Sequence, residues 1–89
     1  MRDVIPRNRF KRDLKRMLGR GKNRDDLLAI AYMLADNAPL PPNARPHKLS
    51  GEYEGLWECH IGHDWLLIYK VTDKEVLLAR TGTHMDLFE

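Results

Sequence analysis

Two amphipathic helical stretches early in the chain, a proline-rich loop, and three strand-like stretches in succession predict an α+β fold. The expected arrangement is an N-terminal strand and an α-helical hairpin packed on one face of an antiparallel sheet. The chain has 89 residues, the size of one small domain spanning residues 1–89. A domain of this size buries only about 60–65% of the surface its unfolded chain exposes, so its margin of stability is thin.

The elements follow in order. Asp3-Val4-Ile5 reads as a short strand ended by Pro6. Residues 8–18 read as a helix, because Phe10, Leu14, Met17 and Leu18 form one stripe at i, i+4, i+7 and i+8. Arg9, Lys11, Arg12, Lys15 and Arg16 occupy its other faces, and Gly19 and Gly21 punctuate its end. A second helix runs from Arg24 to Asp36, with Asn23 as N-cap and Asp25 and Asp26 in the first turn, where they complement the helix dipole. Leu27, Ile30, Ala31 and Leu34 form its apolar stripe, and Asn37 and Pro39 stop it. Pro39, Pro41, Pro42 and Pro46 make residues 37–54 a loop. Strands are expected at Leu56–Ile61, Trp65–Val71 and Val76–Thr83, the last two joined by a hairpin turn at Thr72-Asp73-Lys74-Glu75. Met85–Glu89 reads as a short tail.

Charge is distributed unevenly. Residues 1–24 hold ten Lys/Arg against Asp3 and Asp13, a local balance of +8, while the remainder holds five against eleven acids, a balance of −6, for a net +2. Five cations on one short helix, unbalanced by acids, point to a polyanion partner; the plainer reading is a solvated helix face. The longest apolar run, Trp65–Tyr69, is too short to span a bilayer, and the N-terminus has no apolar signal segment. A single cysteine, Cys59, rules out an intramolecular disulfide and a Cys-rich zinc site, so a reducing cytoplasm is the expected compartment. No Gly-rich phosphate loop is present, and no cofactor or membrane partner is expected.

Strand alternation sorts the side chains between faces. Trp57, Cys59 and Ile61 share one face, and Glu58 and His60 the other. In the last strand Leu77, Ala79, Thr81 and Thr83 are expected to share a face, and Val76, Leu78, Arg80, Gly82 and His84 the opposite one. With the helices over Trp57, Cys59, Leu77 and Ala79, the polar set Glu58, His60, Arg80 and His84 gathers on the open face. A bulge at Gly82 would move His84 by one position. Trp65–Tyr69 is apolar on both sides, as befits a central strand.

All four histidines (His47, His60, His63 and His84) lie outside the basic arm. Imidazole exchanges protons in both directions near neutral pH. Several histidines with carboxylates and an arginine suit metal-free RNA cleavage: one group takes the ribose 2′-OH proton, another protonates the leaving 5′-oxygen, and a cation stabilises the phosphorane-like charge. Metal binding by His60, His63 and Asp64 is a second reading, weakened because residues three apart at a strand end point to opposite faces. Cys59 alternates with core positions and reads as a small core residue. Phe88, beyond the last strand, is placed to stack on a base.

His47-Lys48-Leu49-Ser50-Gly51, Glu58-Cys59-His60, Asp64 to Lys70, Arg80-Thr81-Gly82-Thr83-His84 and Leu87-Phe88, in this order and spacing, resemble the YafQ branch of the RelE toxin superfamily. The resemblance covers essentially the whole chain. It implies a type II toxin–antitoxin toxin with a RelE-like fold similar to microbial ribonucleases. It further implies a ribosome-dependent endoribonuclease that cuts mRNA in the A site without metal, with a cognate antitoxin, the ribosome and mRNA as partners. The positions matching the family's catalytic set are His47, His60, Asp64 and His84, with Phe88 positioning substrate. Glu58, grouped with Phe88 and Arg80 for substrate binding, stands where an Asp also occurs, Trp57 stands where an Arg occurs, and His63 has no counterpart. Arg80 is assigned to substrate charge from its place on the His84 face, and Arg9, Lys11, Arg12, Lys15 and Arg16 to ribosomal RNA. Two alternatives stand beside this reading: a ParE-like gyrase toxin of the same fold, disfavoured by the histidine set, and a non-catalytic RNA-binding module.

Overall fold

The computed structural model describes residues 1–88. Its elements are β1 (Asp3–Pro6), α1 (Asn8–Gly19), α2 (Arg24–Ala35), β2 (His47–Lys48), β3 (Trp57–Gly62), β4 (Trp65–Val71), β5 (Glu75–Gly82) and α3 (His84–Phe88), with single 3-10 turns at Pro42–Ala44 and Gly51–Tyr53. The helical hairpin turns at Gly21, whose φ of +94° is open to glycine at little cost. The Asn23 side chain caps α2, its Oδ1 accepting from Asp25 N–H at 2.9 Å.

The five strands form one sheet in the order β1-β5-β4-β3-β2. The β5-β4-β3 meander is antiparallel as expected, and β1 joins parallel to β5, so the sheet is mixed. The loop expected over 37–54 contains β2, which adds antiparallel to β3 through His47↔Glu58 and Lys48↔Trp57. The last strand ends at Gly82 rather than Thr83, and Met85–Phe88, expected as a tail, lies in α3; Glu89 falls outside the described residues.

The helices cover one face. Phe10 and Met17 of α1 and Leu27, Ile30 and Leu34 of α2 pack on Cys59, Trp65, Leu67, Tyr69, Val76 and Leu78. Burial of each large side chain in this layer contributes about 1.5–3 kcal/mol. On the opposite face Leu66 and Ile68 are covered by Leu87 of α3 and by Leu49, Tyr53 and Leu56 of the loop.

The register corrects one sequence expectation. Tyr69 pairs with Leu78 and Ile68 with Arg80, so Ala79 is an extra residue in β5. The bulge lies at Ala79, not Gly82, and exchanges the two sides of the strand partway along it. Val76 and Leu78 therefore face the helices, whereas Ala79 packs with the second layer. Beyond the bulge Arg80 returns to the open side, and Thr81 sits opposite Leu67, its hydroxyl accepting from the Trp65 indole N–H at 2.8 Å.

Candidate active site

Two rows of paired residues cross the face away from the helical hairpin. The first runs His47, Glu58, Ile68, Arg80 through β2, β3, β4 and β5. The second runs His60, Leu66, Gly82, and His84 begins α3 just beyond it. Alternation along β3 and the bulge in β5 together bring Glu58, His60 and Arg80 to this face, with the Leu66 and Ile68 side chains as its floor.

His84 and Asp64 form the closest contact of the set. Asp64 sits in the β3–β4 turn with φ +47°, a left-handed conformation that Asp tolerates better than most residues. Its Oδ1 accepts from the His84 backbone N–H at 3.0 Å and lies 2.8 Å from His84 Nδ1. These bonds, the backbone one first, hold the Asp64 carboxyl below its ordinary pKa. A carboxylate facing Nδ1 favours the tautomer that carries its proton there, with Nε2 as the ring's acceptor. The His84 side chain is 58% exposed.

His60 lies on β3 with its ring centroid 6.0 Å from that of His84. Phe88 is one helical turn after His84, its ring 6.3 Å from the imidazole and 46% exposed. At the other end of the first row, His47 Nε2 lies 3.3 Å from Glu58 Oε1 while Nδ1 approaches the Arg45 carbonyl oxygen at 3.1 Å. Both ring nitrogens thus face acceptor oxygens. Glu58 is buried, whereas His47 is exposed.

Arg80 reaches the open side but is not a bare cation. Its Nε and Nη2 donate to Asp13 at 2.6 and 3.3 Å, and Nη1 donates to the Tyr53 hydroxyl at 3.2 Å. Two of its five N–H groups remain uncommitted. The basic residues Arg9, Lys11, Arg12, Lys15 and Arg16 stand exposed on α1. His63 is exposed in the turn, its carbonyl accepting from Lys22 Nζ. Burial pushes the Cys59 thiol up to about 12, in keeping with a core residue. Among the described residues no group of three or more His, Cys, Asp or Glu is arranged to hold a metal ion.

A family model described as "Bacterial toxin of type II toxin-antitoxin system, YafQ" matches residues 2–89. The chain belongs to the YafQ toxin family.

The mRNA interferase toxin YafQ of Escherichia coli is 38% identical to it over 88 residues, 98% of this chain and 96% of that one. The crystal structure of E. coli YafQ aligns with a TM-score of 0.91 at 36% identity, covering 100% of both chains. A chain of the E. coli DinJ-YafQ toxin-antitoxin complex aligns at 0.88 and 37% identity, covering 99% of this chain and 98% of that one. The resemblance and the α+β fold expected from sequence are both borne out.

Within this YafQ-family chain, the residues that sequence reasoning passed over are those behind the site. Asp13 is 1% exposed and lies on the apolar stripe of α1, three residues after Phe10. Tyr53 joins the loop to Arg80 and to Leu87 of α3. Asp86 accepts from Arg20 at 2.8 Å and from Thr83 N–H at 3.0 Å, while its own N–H donates to the Thr83 hydroxyl at 3.1 Å. That reciprocal pair is a capping box, and Thr83-x-x-Asp86 is a spacing readable in the sequence.

Proposed function

We propose that this chain is an mRNA interferase: an endoribonuclease that cuts translated mRNA in the ribosomal A site, acts in the cytoplasm as a single toxin domain, and is restrained by a cognate antitoxin. The observation that carries the reading is the His84–Asp64 pair beside His60 on the open face. The kinship with the E. coli mRNA interferase, and the solved complex of that relative with DinJ, support it.

In the proposed reaction one imidazole takes the proton from a ribose 2′-OH. The 2′-oxygen bonds to the adjacent phosphorus, the P–O5′ bond breaks, and a second group returns a proton to the 5′-oxygen. His84, held by Asp64 through Nδ1, is the first of these groups, and His60 or His47 is the complement. The uncommitted N–H groups of Arg80 face developing phosphate charge. Phe88 stacks on a base, and Glu58 orients His47. The cations of α1 bind ribosomal RNA through its phosphates.

The test is to map mRNA 5′ ends on translating ribosomes with wild type and His84→Gln side by side, at two salt concentrations. The expected result is new codon-phased ends with wild type only, reduced at higher salt. Intact mRNA on ribosomes exposed to wild type overturns the proposal. Binding without cleavage, unchanged by loss of the histidines, favours a non-catalytic module.

A further inference from the structure

We infer that Tyr53 is a positioning residue, joining the Asp13–Arg80 pair to the helix that carries His84 and Phe88. This deepens the ribonuclease reading and rests on it. Asp13 is buried on α1 and engages Arg80 through both carboxylate oxygens, while Oδ2 also accepts from Thr81 N–H at 3.2 Å. A guanidinium gripped along one edge cannot turn, so the direction of Nη1 is set. Nη1 meets the Tyr53 hydroxyl, and that hydroxyl in turn donates to the Leu87 carbonyl oxygen at 3.1 Å. The Tyr53 ring meets Phe88 edge to face, with centroids 5.6 Å apart and planes at 85°.

Helix α3 needs such an anchor. Five residues make too few internal bonds to hold a helix by themselves, and its final carbonyls have no partner within it. The capping box holds its start, and Tyr53 ties down its end. His84 and Phe88, four apart, lie on one side of that single turn. The tilt of α3 therefore sets both the separation of His84 from His60 and the plane of Phe88. Removing the hydroxyl leaves the Tyr53 ring in place but releases the end of the helix.

Tyr53→Phe isolates this effect. In single-turnover cleavage of mRNA on programmed ribosomes, its rate at saturating toxin should fall roughly tenfold, with half-saturation within about twofold of wild type. In NMR spectra the ring resonances of His84 and Phe88 should move while the methyl resonances of Leu67 and Val76 stay. Asp13→Asn, which loosens Arg80, should shift the same two rings. A wild-type rate in Tyr53→Phe overturns the inference, as does a change in half-saturation alone. Collapse of the core methyl dispersion in Tyr53→Phe assigns the residue to the fold and likewise overturns it. If wild type itself does not cleave, the ribonuclease reading fails, and unmoved His84 and Phe88 rings in the variant would separately refute the positioning role.

Discussion

Gly82 lies against Asp86 so closely that a Cβ at position 82 would stand 2.9 Å from the Asp86 Cβ and 3.1 Å from its Oδ2. Asp86 is tied to Thr83 and Arg20 and is not free to swing aside. Gly82→Ala must therefore push α3 away from the sheet. The expected loss is about 1–3 kcal/mol in urea denaturation. Cleavage should fall further than the fraction folded, because His84 and Phe88 move together; a stable variant cutting at the wild-type rate would contradict this.

Asp64→Asn keeps the shape of the β3–β4 turn, since Asn also tolerates a positive φ. It removes the carboxylate that orients the His84 ring and lets the ring choose the wrong tautomer. Cleavage should drop by roughly 100-fold or more. The pair is about half exposed, so the urea midpoint should barely change. Cleavage close to wild type would remove Asp64 from the mechanism.

The Arg20 hydrogen bond, followed by that from Thr83 N–H, lowers the Asp86 carboxyl to about 2 from its usual 3.8. A depressed carboxyl stabilises the fold above its unfolded pKa, and that contribution is lost as pH falls through the folded value. The stability gap between wild type and Asp86→Asn should be flat above about pH 5 and close toward about pH 2. Urea denaturation across this range measures it; a gap that widens on acidification would show that Arg20 does not hold the carboxylate.

Asp13 and Arg80 are 1% and 9% exposed, a buried ion pair between α1 and β5. Removing one partner strands the other charge, so Asp13→Ala should cost about 3–5 kcal/mol. The double variant Asp13→Ala, Arg80→Met should recover much of that stability in the same denaturation assay but stay impaired in cleavage. Full recovery of both properties would confine the pair to a structural role.

Most of the architecture was legible because it rests on local periodicity. The α1 and α2 stripes, the Asn23 cap and the limits of β4 are set by residues close in the chain, and β3 lies one residue later than expected at each end. Alternation was enough to bring Glu58 and His60 to one face. What escaped depends on distant partners. The two residues of β2 follow Pro46 and have no pattern of their own, and become a strand only by pairing with β3. The parallel seat of β1 on β5 joins residues some seventy positions apart. Ala79-Arg80 has no composition that marks a bulge. Asp13 entered only the charge balance of residues 1–24, although its place three residues after Phe10 put it on the buried stripe. The helix at His84 was the avoidable omission, since its capping-box spacing lies in plain view.

The extra residue at Ala79 has a consequence for how this protein can vary. Up to Leu78 the strand serves the interior, and after Ala79 its odd and even positions trade duties. Loss of that one alanine would aim Arg80 into the hydrocarbon layer and lift Thr81 away from Trp65. Replacing the alanine by another small residue disturbs neither half. Homologues should therefore differ freely in side chain at this position yet hold the spacing between Leu78 and Arg80 constant, so that length, not identity, is what selection guards there.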